Sequence, residues 1–292
     1  MKKLITLLLV ALIAVTACFS FAGCSKEEGE SYKFGKELLR YDSQLDTLAK
    51  LAANDIDVSI IDSVMAGYYA KTGDYANQIA IVDDLILAQE KYGIAGRKND
   101  KAFVSKINEA LIALADSEYE TIGSAYGLEE SLCLENDTVN PLASADDNSW
   151  NEIVSSGKIV IGYTIFAPIC YDIVDEVPTK GFDIELAKAV VAYLNAKYNV
   201  TLQVEFLLID WDNKEVDLAQ KNIDLIWNGL TITDERAANM CISVPYLNNN
   251  QVAVVLKSNL SKYSDAAKIL VNMNSAIIGV EKGSAGESVV LK

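Results

Sequence analysis

Histidine is absent from all 292 residues. Ser-His-Asp and Cys-His catalysis are therefore excluded, as is any histidine-ligated metal centre. Basic residues are scarce: 25 Lys and Arg stand against 41 Asp and Glu, a net charge of −16. Such a surface repels phosphate backbones and argues against a nucleic-acid partner. Cysteine offers no framework either. Beyond the N-terminal segment only Cys133, Cys170 and Cys241 remain, widely spaced and without a CxxC, so they read as buried or incidental thiols. Past that segment no stretch is long and apolar enough to span a bilayer. Nothing in the residues calls for a cofactor or a metal.

Met1–Gly23 combines two lysines, a long apolar run and small residues before a cysteine, the composition of a secretory signal. Phe21-Ala22-Gly23-Cys24 resembles a bacterial lipobox, with Cys24 becoming the lipidated first residue. Val15-Thr16-Ala17-Cys18 is a rival match, but apolar residues follow Cys18, whereas polar ones follow Cys24. Ordinary soluble secretion and an uncleaved anchor are the alternatives. Residues 24–31 then form a polar tether. The remaining length suits two medium domains, each with its own core.

Patterning along the chain alternates strands and helices. Gln44–Ala53 repeats Leu45, Leu48, Ala49 and Ala52 at helical spacing. Asp57–Ile61 reads as a strand, ending at Asp62-Ser63 before a helix through Met65 and Tyr69. There Asp62 either caps the helix or pairs with a ligand ammonium. Strands are expected at Gln78–Val82 and Tyr92–Ala95 with Asp83–Lys91 connecting them, and helices at Asp100–Ala115 and Ser117–Tyr126. Residues 129–149, rich in Asn, Asp and Ser, read as a linker. Beyond it come a short helix from Trp150, a strand at Ile159–Tyr163, a helix opened by Gly181-Phe182-Asp183 and a strand at Val200–Leu208. A helix around Asp265–Val271 and a strand at Ala276–Val280 follow, running into Glu281-Lys282-Gly283-Ser284-Ala285-Gly286-Glu287.

The most informative stretch is Asp224–Leu256. Asp224-Leu225-Ile226-Trp227 is an apolar run suited to a doubly buried strand, and Asn228-Gly229 is expected to break it. Thr231-Ile232-Thr233 leads into Asp234-Glu235-Arg236, a helix N-terminus. Arg236 reads either as a surface arginine in a first-turn ion pair or as a fork for a carboxylate at the sheet's carboxyl edge. Ser243-Val244-Pro245-Tyr246 and Gln251–Leu256 complete the pattern. N-G-x-T-x-T-x-x-R followed by S-x-P-Y and an apolar strand resembles the first lobe of amino-acid-binding proteins of ABC importers, the family-3 solute-binding proteins.

Several expectations follow from that resemblance. The fold is α/β, a two-lobed type II periplasmic-binding-protein fold in which each lobe is a mostly parallel sheet flanked by helices. Residues 41–128 resemble the back half of the family, yet they come first. The chain stops at Lys292 where the family pattern would continue into what stands at residues 32–41. We therefore expect a circular permutant: lobe two from 32–88 and 252–292, lobe one from 91–250, with 129–149 joining the family's two ends. A fusion of unrelated half-genes and a shortened tandem array are the competing explanations.

The resemblance also assigns a ligand site. Arg236, the backbone N–H of Thr231 and the start of the helix at Ser284 and Ala285 would hold the carboxylate of a free α-amino acid, and Asp62 its ammonium. Ser284-x-x-Glu287 has capping-box spacing, so the Ser284 hydroxyl and Glu287 alternatively satisfy their own turn. Phe166 and Trp211 would wall the side chain, or else sit in the core. Asn228 and Gly229 shape the turn, and Asn228 either bonds a polar side chain or serves turn chemistry. Tyr163 stands where relatives that bind cationic amino acids carry an acid, which weighs against lysine or arginine. The implied protein is a monomeric, non-enzymatic lipoprotein on the outer face of the cell membrane, handing a polar amino acid to the membrane subunits of an ABC importer. A dehydratase-like enzyme, a sensor domain and a non-binding remnant are the alternatives.

Overall fold

The computed structural model describes residues 31–265 and 268–291. The expected signal, the lipobox cysteines Cys18 and Cys24 and nearly all of the tether lie outside the described residues. Eleven strands occur among those described: β1 (Glu37–Tyr41), β2 (Val58–Asp62), β3 (Ile79–Arg97), β4 (Lys158–Tyr163), β5 (Tyr171–Val174), β6 (Val177–Lys180), β7 (Gln203–Leu208), β8 (Leu225–Thr231), β9 (Met240–Ile242), β10 (Leu247–Leu256) and β11 (Ile277–Glu281). Nine of them form one mixed sheet in the order β1-β11-β2-β10-β3-β8-β4-β7, with β9 on a flank of β3; β5 and β6 make a separate ribbon.

Each end of the sheet is parallel. On one side β11 lies between β1 and β2, pairing Leu38 with Ile278 and Val58 with Ile278. On the other, β4 lies between β7 and β8. The long antiparallel pair β3–β10 runs through both halves and joins them. The expected connection at Asp83–Lys91 is therefore strand. Between Asp83 and Glu90 this strand pairs with β10 alone, in a ladder shifted around Val252. Asn228-Gly229 likewise does not end β8, which continues to Thr231. Gly229 takes φ +66, and the ladder to β3 shifts register there, so the residues expected to break the strand kink it instead. The helix expected around Asp265–Val271 is instead two short ones, Leu260–Tyr263 and Ile269–Asn274.

Apolar faces explain the rest. In the helix Phe182–Tyr198 the buried Leu186, Val190 and Leu194 form one stripe, and Asn199 ends it in the left-handed conformation. The helices Lys101–Leu114 and Glu120–Ala125 match the expected pair, separated by a kinked turn at Ala115–Tyr119. A large core joins this helical layer to β3, β4 and β8, and a second core lies under β1, β2 and β11. Residues 129–149 hold little regular structure but are pinned. Tyr119 Oη accepts from the N–H groups of Cys133 and Leu134 (3.0 and 3.2 Å), and Asp147 accepts from Ala102 N–H (2.7 Å). No described helix is long and apolar enough to cross a membrane.

Candidate functional site

Strands β1, β2 and β11 run parallel, so Tyr41, Asp62 and Glu281 all stand at carboxyl ends on one edge of their half-sheet. Across from them β8 ends at Thr231, and the helix Asp234–Asn239 begins, capped by Thr233 Oγ1 accepting from Arg236 N–H at 3.1 Å. Between these edges lies a narrow cleft lined by Gln44, Asp62, Met65, Thr164, Ile165, Phe166, Trp211, Asn228, Gly229, Thr231, Arg236, Glu281, Ser284 and Ala285. Nine of the ten residues expected to contact ligand are in this set.

Arg236 is buried, with 9% of its surface exposed, and its Nη1 donates to the Thr231 carbonyl (2.8 Å) and its Nη2 to the Gly283 carbonyl (3.3 Å). It is no surface ion pair. Burial works against its charge, and the carboxylates of Glu215, Glu90 and Asp62 favour it. Thr231 donates its hydroxyl to Glu90 Oε2 (3.0 Å). Ile232 N–H bonds Lys91 O, so the alternating ladder turns the Thr231 N–H away from β3.

Asp62 faces Arg236 from the other wall. Its carboxylate does not cap the helix Ser63–Tyr69. It accepts instead from the Gln44 and Asn249 amides and from Gln251 Nε2 at 2.9 Å. Burial, and then the charge of Glu90, push its pKa up to about 6. Three donors crowd this acid before any ligand arrives.

Phe166 and Trp211 both line the cleft while being nearly buried. Gly229 lies so close to the Phe166 ring that a Cβ there would stand 2.5 Å from it. The Asn228 amide is spent on Thr164, its oxygen facing the backbone N–H (3.2 Å) and hydroxyl (2.8 Å) and its nitrogen the carbonyl (3.2 Å). Ser284 accepts from Glu287 N–H (3.1 Å) and Glu287 Oε2 from Gly283 N–H (2.7 Å), so the turn does satisfy itself, on a helix of six residues.

Tyr163 is the exception. It is fully buried on β4, outside the cleft, and its hydroxyl donates to the Glu176 carbonyl at 2.8 Å. The position at which relatives that bind cationic amino acids carry an acid thus lies outside the cleft in this chain. Sequence reasoning also missed Gln44 and Glu281. Glu281 carried the signal that singled out Asp62, an acid at the end of a strand; Gln44, an ordinary first residue of a helix, carried none.

Residues 159–285 match the model of the bacterial extracellular solute-binding proteins, family 3. This stretch belongs to that family. It holds β4 through β11, including Arg236, Thr231, Trp211 and Glu281. Together with parallel half-sheets joined by a crossing antiparallel pair, the family makes this a type II periplasmic-binding-protein fold. A probable histidine-binding protein of Neisseria gonorrhoeae is 34% identical over 113 residues, covering 39% of this chain and 38% of that protein. A cyclohexadienyl dehydratase of Pseudomonas aeruginosa is 25% identical over 126 residues, covering 43% of this chain and 44% of the enzyme. The chain thus spans about two fifths of the length of these curated relatives. A histidine-bound substrate-binding protein of an ABC uptake transporter from Streptococcus pneumoniae aligns at 36% identity over 33% of this chain and 36% of its own, with a TM-score of 0.27.

Proposed function

We propose that this protein captures a free polar α-amino acid in the cleft between its two half-sheets and delivers it to an ABC importer. The observation that carries this reading is one cleft with a guanidinium on one wall and a carboxylate on the other, Arg236 and Asp62. A zwitterion supplies the complementary pair of charges, and a bidentate arginine–carboxylate contact fixes its orientation. The turned-out N–H of Thr231 adds a second donor for the carboxylate. Phe166 and Trp211 give the side chain apolar walls.

The wider reading keeps the lipoprotein of the sequence: Cys24 acylated, the protein held as a monomer outside the cell membrane, no enzyme activity. It also keeps the circular permutation, with 32–88 and 252–292 forming lobe two and 91–250 lobe one. The seating of β11 between β1 and β2 supports this, because the family order makes those three strands neighbours in sequence.

A thermal-shift screen of the twenty L-amino acids tests the binding reading. One or a few polar amino acids should raise the melting temperature in steps that grow with concentration. No shift from any of them contradicts it. Dehydration chemistry is the second reading, favoured by one observation: Glu281 is a buried acid facing the cleft whose burial raises its pKa to about 8, the condition of a general acid. Loss of substrate during incubation would establish it, and stoichiometric recovery of unchanged ligand would exclude it.

A further inference from the structure

Glu281 stands out in the cleft because only an amide, that of Gln44, holds it. It is 5% exposed, it lines the same cavity as Asp62, and it makes no ion pair among the described residues. Lys214, the nearby cation, offsets part of its charge from a distance but makes its contacts elsewhere. Its Nζ donates to the carbonyls of Trp211 (2.9 Å) and Gly283 (3.2 Å) and lies over the Trp211 ring. The group beside Glu281 is the Gln44 amide, which also donates to Asp62. A buried carboxyl with no cation in contact is costly unless it keeps a proton or meets a charge from outside.

Resting on the amino-acid-binding reading, we propose that Glu281, positioned by Gln44, is a second acid subsite that receives a positively charged ligand side chain. Arg236 and Asp62 would hold the α-carboxylate and α-ammonium common to every amino acid. A neutral ligand would leave Glu281 with no cation in contact, whereas a basic one supplies that contact. The ligand class is therefore the cationic α-amino acids.

The subsite couples capture to pH. Facing Glu281 are Asp62 on β2, Asp46 on the helix Gln44–Ala52, and Lys214; beyond Asp62 lie Glu90 and Tyr92 on β3, and Arg236 beyond Lys214. Burial first, then the charge of Asp62, raise the Glu281 pKa to about 8, so near neutrality the carboxyl keeps its proton. A basic side chain favours the ionised form and must displace that proton.

The test is calorimetric titration of the full chain with L-arginine and with L-citrulline, its uncharged analogue of the same shape, at pH 6, 7 and 8. Arginine should bind about ten-fold or more tightly than citrulline at pH 8. That ratio should shrink toward pH 6 and collapse in Glu281→Gln. The pH profile of the unaltered protein needs no variant, so the proposal stays testable if Glu281→Gln folds poorly. Citrulline binding as tightly as arginine at pH 8, or a ratio unmoved by pH, overturns the subsite while leaving amino-acid capture intact. Silence from both ligands and from all twenty amino acids overturns capture itself, and the subsite with it.

Discussion

Arg236 and Asp62 show how one side chain's role depends on what already occupies its hydrogen bonds. Arg236 spends one donor on each of two carbonyls, and its fork retains donors for a ligand. Arg236→Lys keeps the charge but loses the planar fork, and should cost at least about 2 kcal/mol of ligand binding by calorimetry. An affinity within two-fold of the original, about 0.4 kcal/mol, would place the carboxylate elsewhere.

Buried acids give a second prediction at this scale. Burial raises Asp62 from 3.8 to about 6, Asp183 from 3.8 to about 7 and Glu281 from 4.5 to about 8. An acid whose folded pKa lies above its unfolded one stabilises the fold fully below the unfolded value and loses that contribution as pH rises through the folded value. The ligand-free melting temperature should therefore fall from pH 5 to pH 8, measured by scanning calorimetry at constant ionic strength. Asp183→Asn should flatten part of that slope. A melting temperature that rises over this range would contradict the assignment.

Residue-level legibility was uneven for physical reasons. Arg236, Thr231 and Gly229 sit in a contiguous motif, so their spacing carried the information. Glu281 and Gln44 join the cleft only through tertiary packing between the two ends of the chain, which local pattern does not encode. Tyr163 was placed at the right strand end, but its ring turns into the core against Phe206.

At the level of elements, β11 is the piece on which the site turns. It inserts between β1 and β2, more than 200 residues away in sequence, and brings Glu281 and, just past its end, Ser284 to the cleft. Gly279 on this strand leaves room for the Ile56 side chain over the sheet, since a Cβ there would stand 2.4 Å from Ile56 Cδ1. Gly279→Val should destabilise the fold by about 1–3 kcal/mol, read from denaturant midpoints. An unchanged midpoint would mean that the contact relaxes at no cost. Because this half-sheet is closed by pairing between distant segments, its local opening should be the easier one. Amides of β1, β2 and β11 should exchange before those of β4, β7 and β8. Equal protection would contradict this.

Element existence was legible wherever the period was clean, as in Gln44–Ala52 and Phe182–Tyr198. β3 and β10 pair with each other through both halves, but Asp83–Lys91 and Leu247–Asn250 lack a clean period-two pattern and do not read as strand when taken alone. Strand β8 passes a glycine by kinking rather than stopping.

Across the whole molecule, contacts between the two halves ring the cleft. Lys214 and Arg236 both donate to Gly283 O, Lys282 pairs with Asp212 at 2.7 Å, and the Tyr68 ring lies 5.6 Å from that of Tyr171. The Lys282–Asp212 pair is exposed and adds little. The two arms on Gly283 are buried and reach from one wall to the other. A ligand that bridged Arg236 and Asp62, as proposed, would add a further link between the two walls.

The claim on which this picture depends is that a single α-amino acid is gripped at both its α-groups. Calorimetry of the tightest-binding amino acid against its analogues lacking either the α-carboxylate or the α-ammonium tests it directly. Each analogue should bind at least about 100-fold more weakly, close to 2.7 kcal/mol. An analogue missing either group that binds as well as its parent would contradict the account.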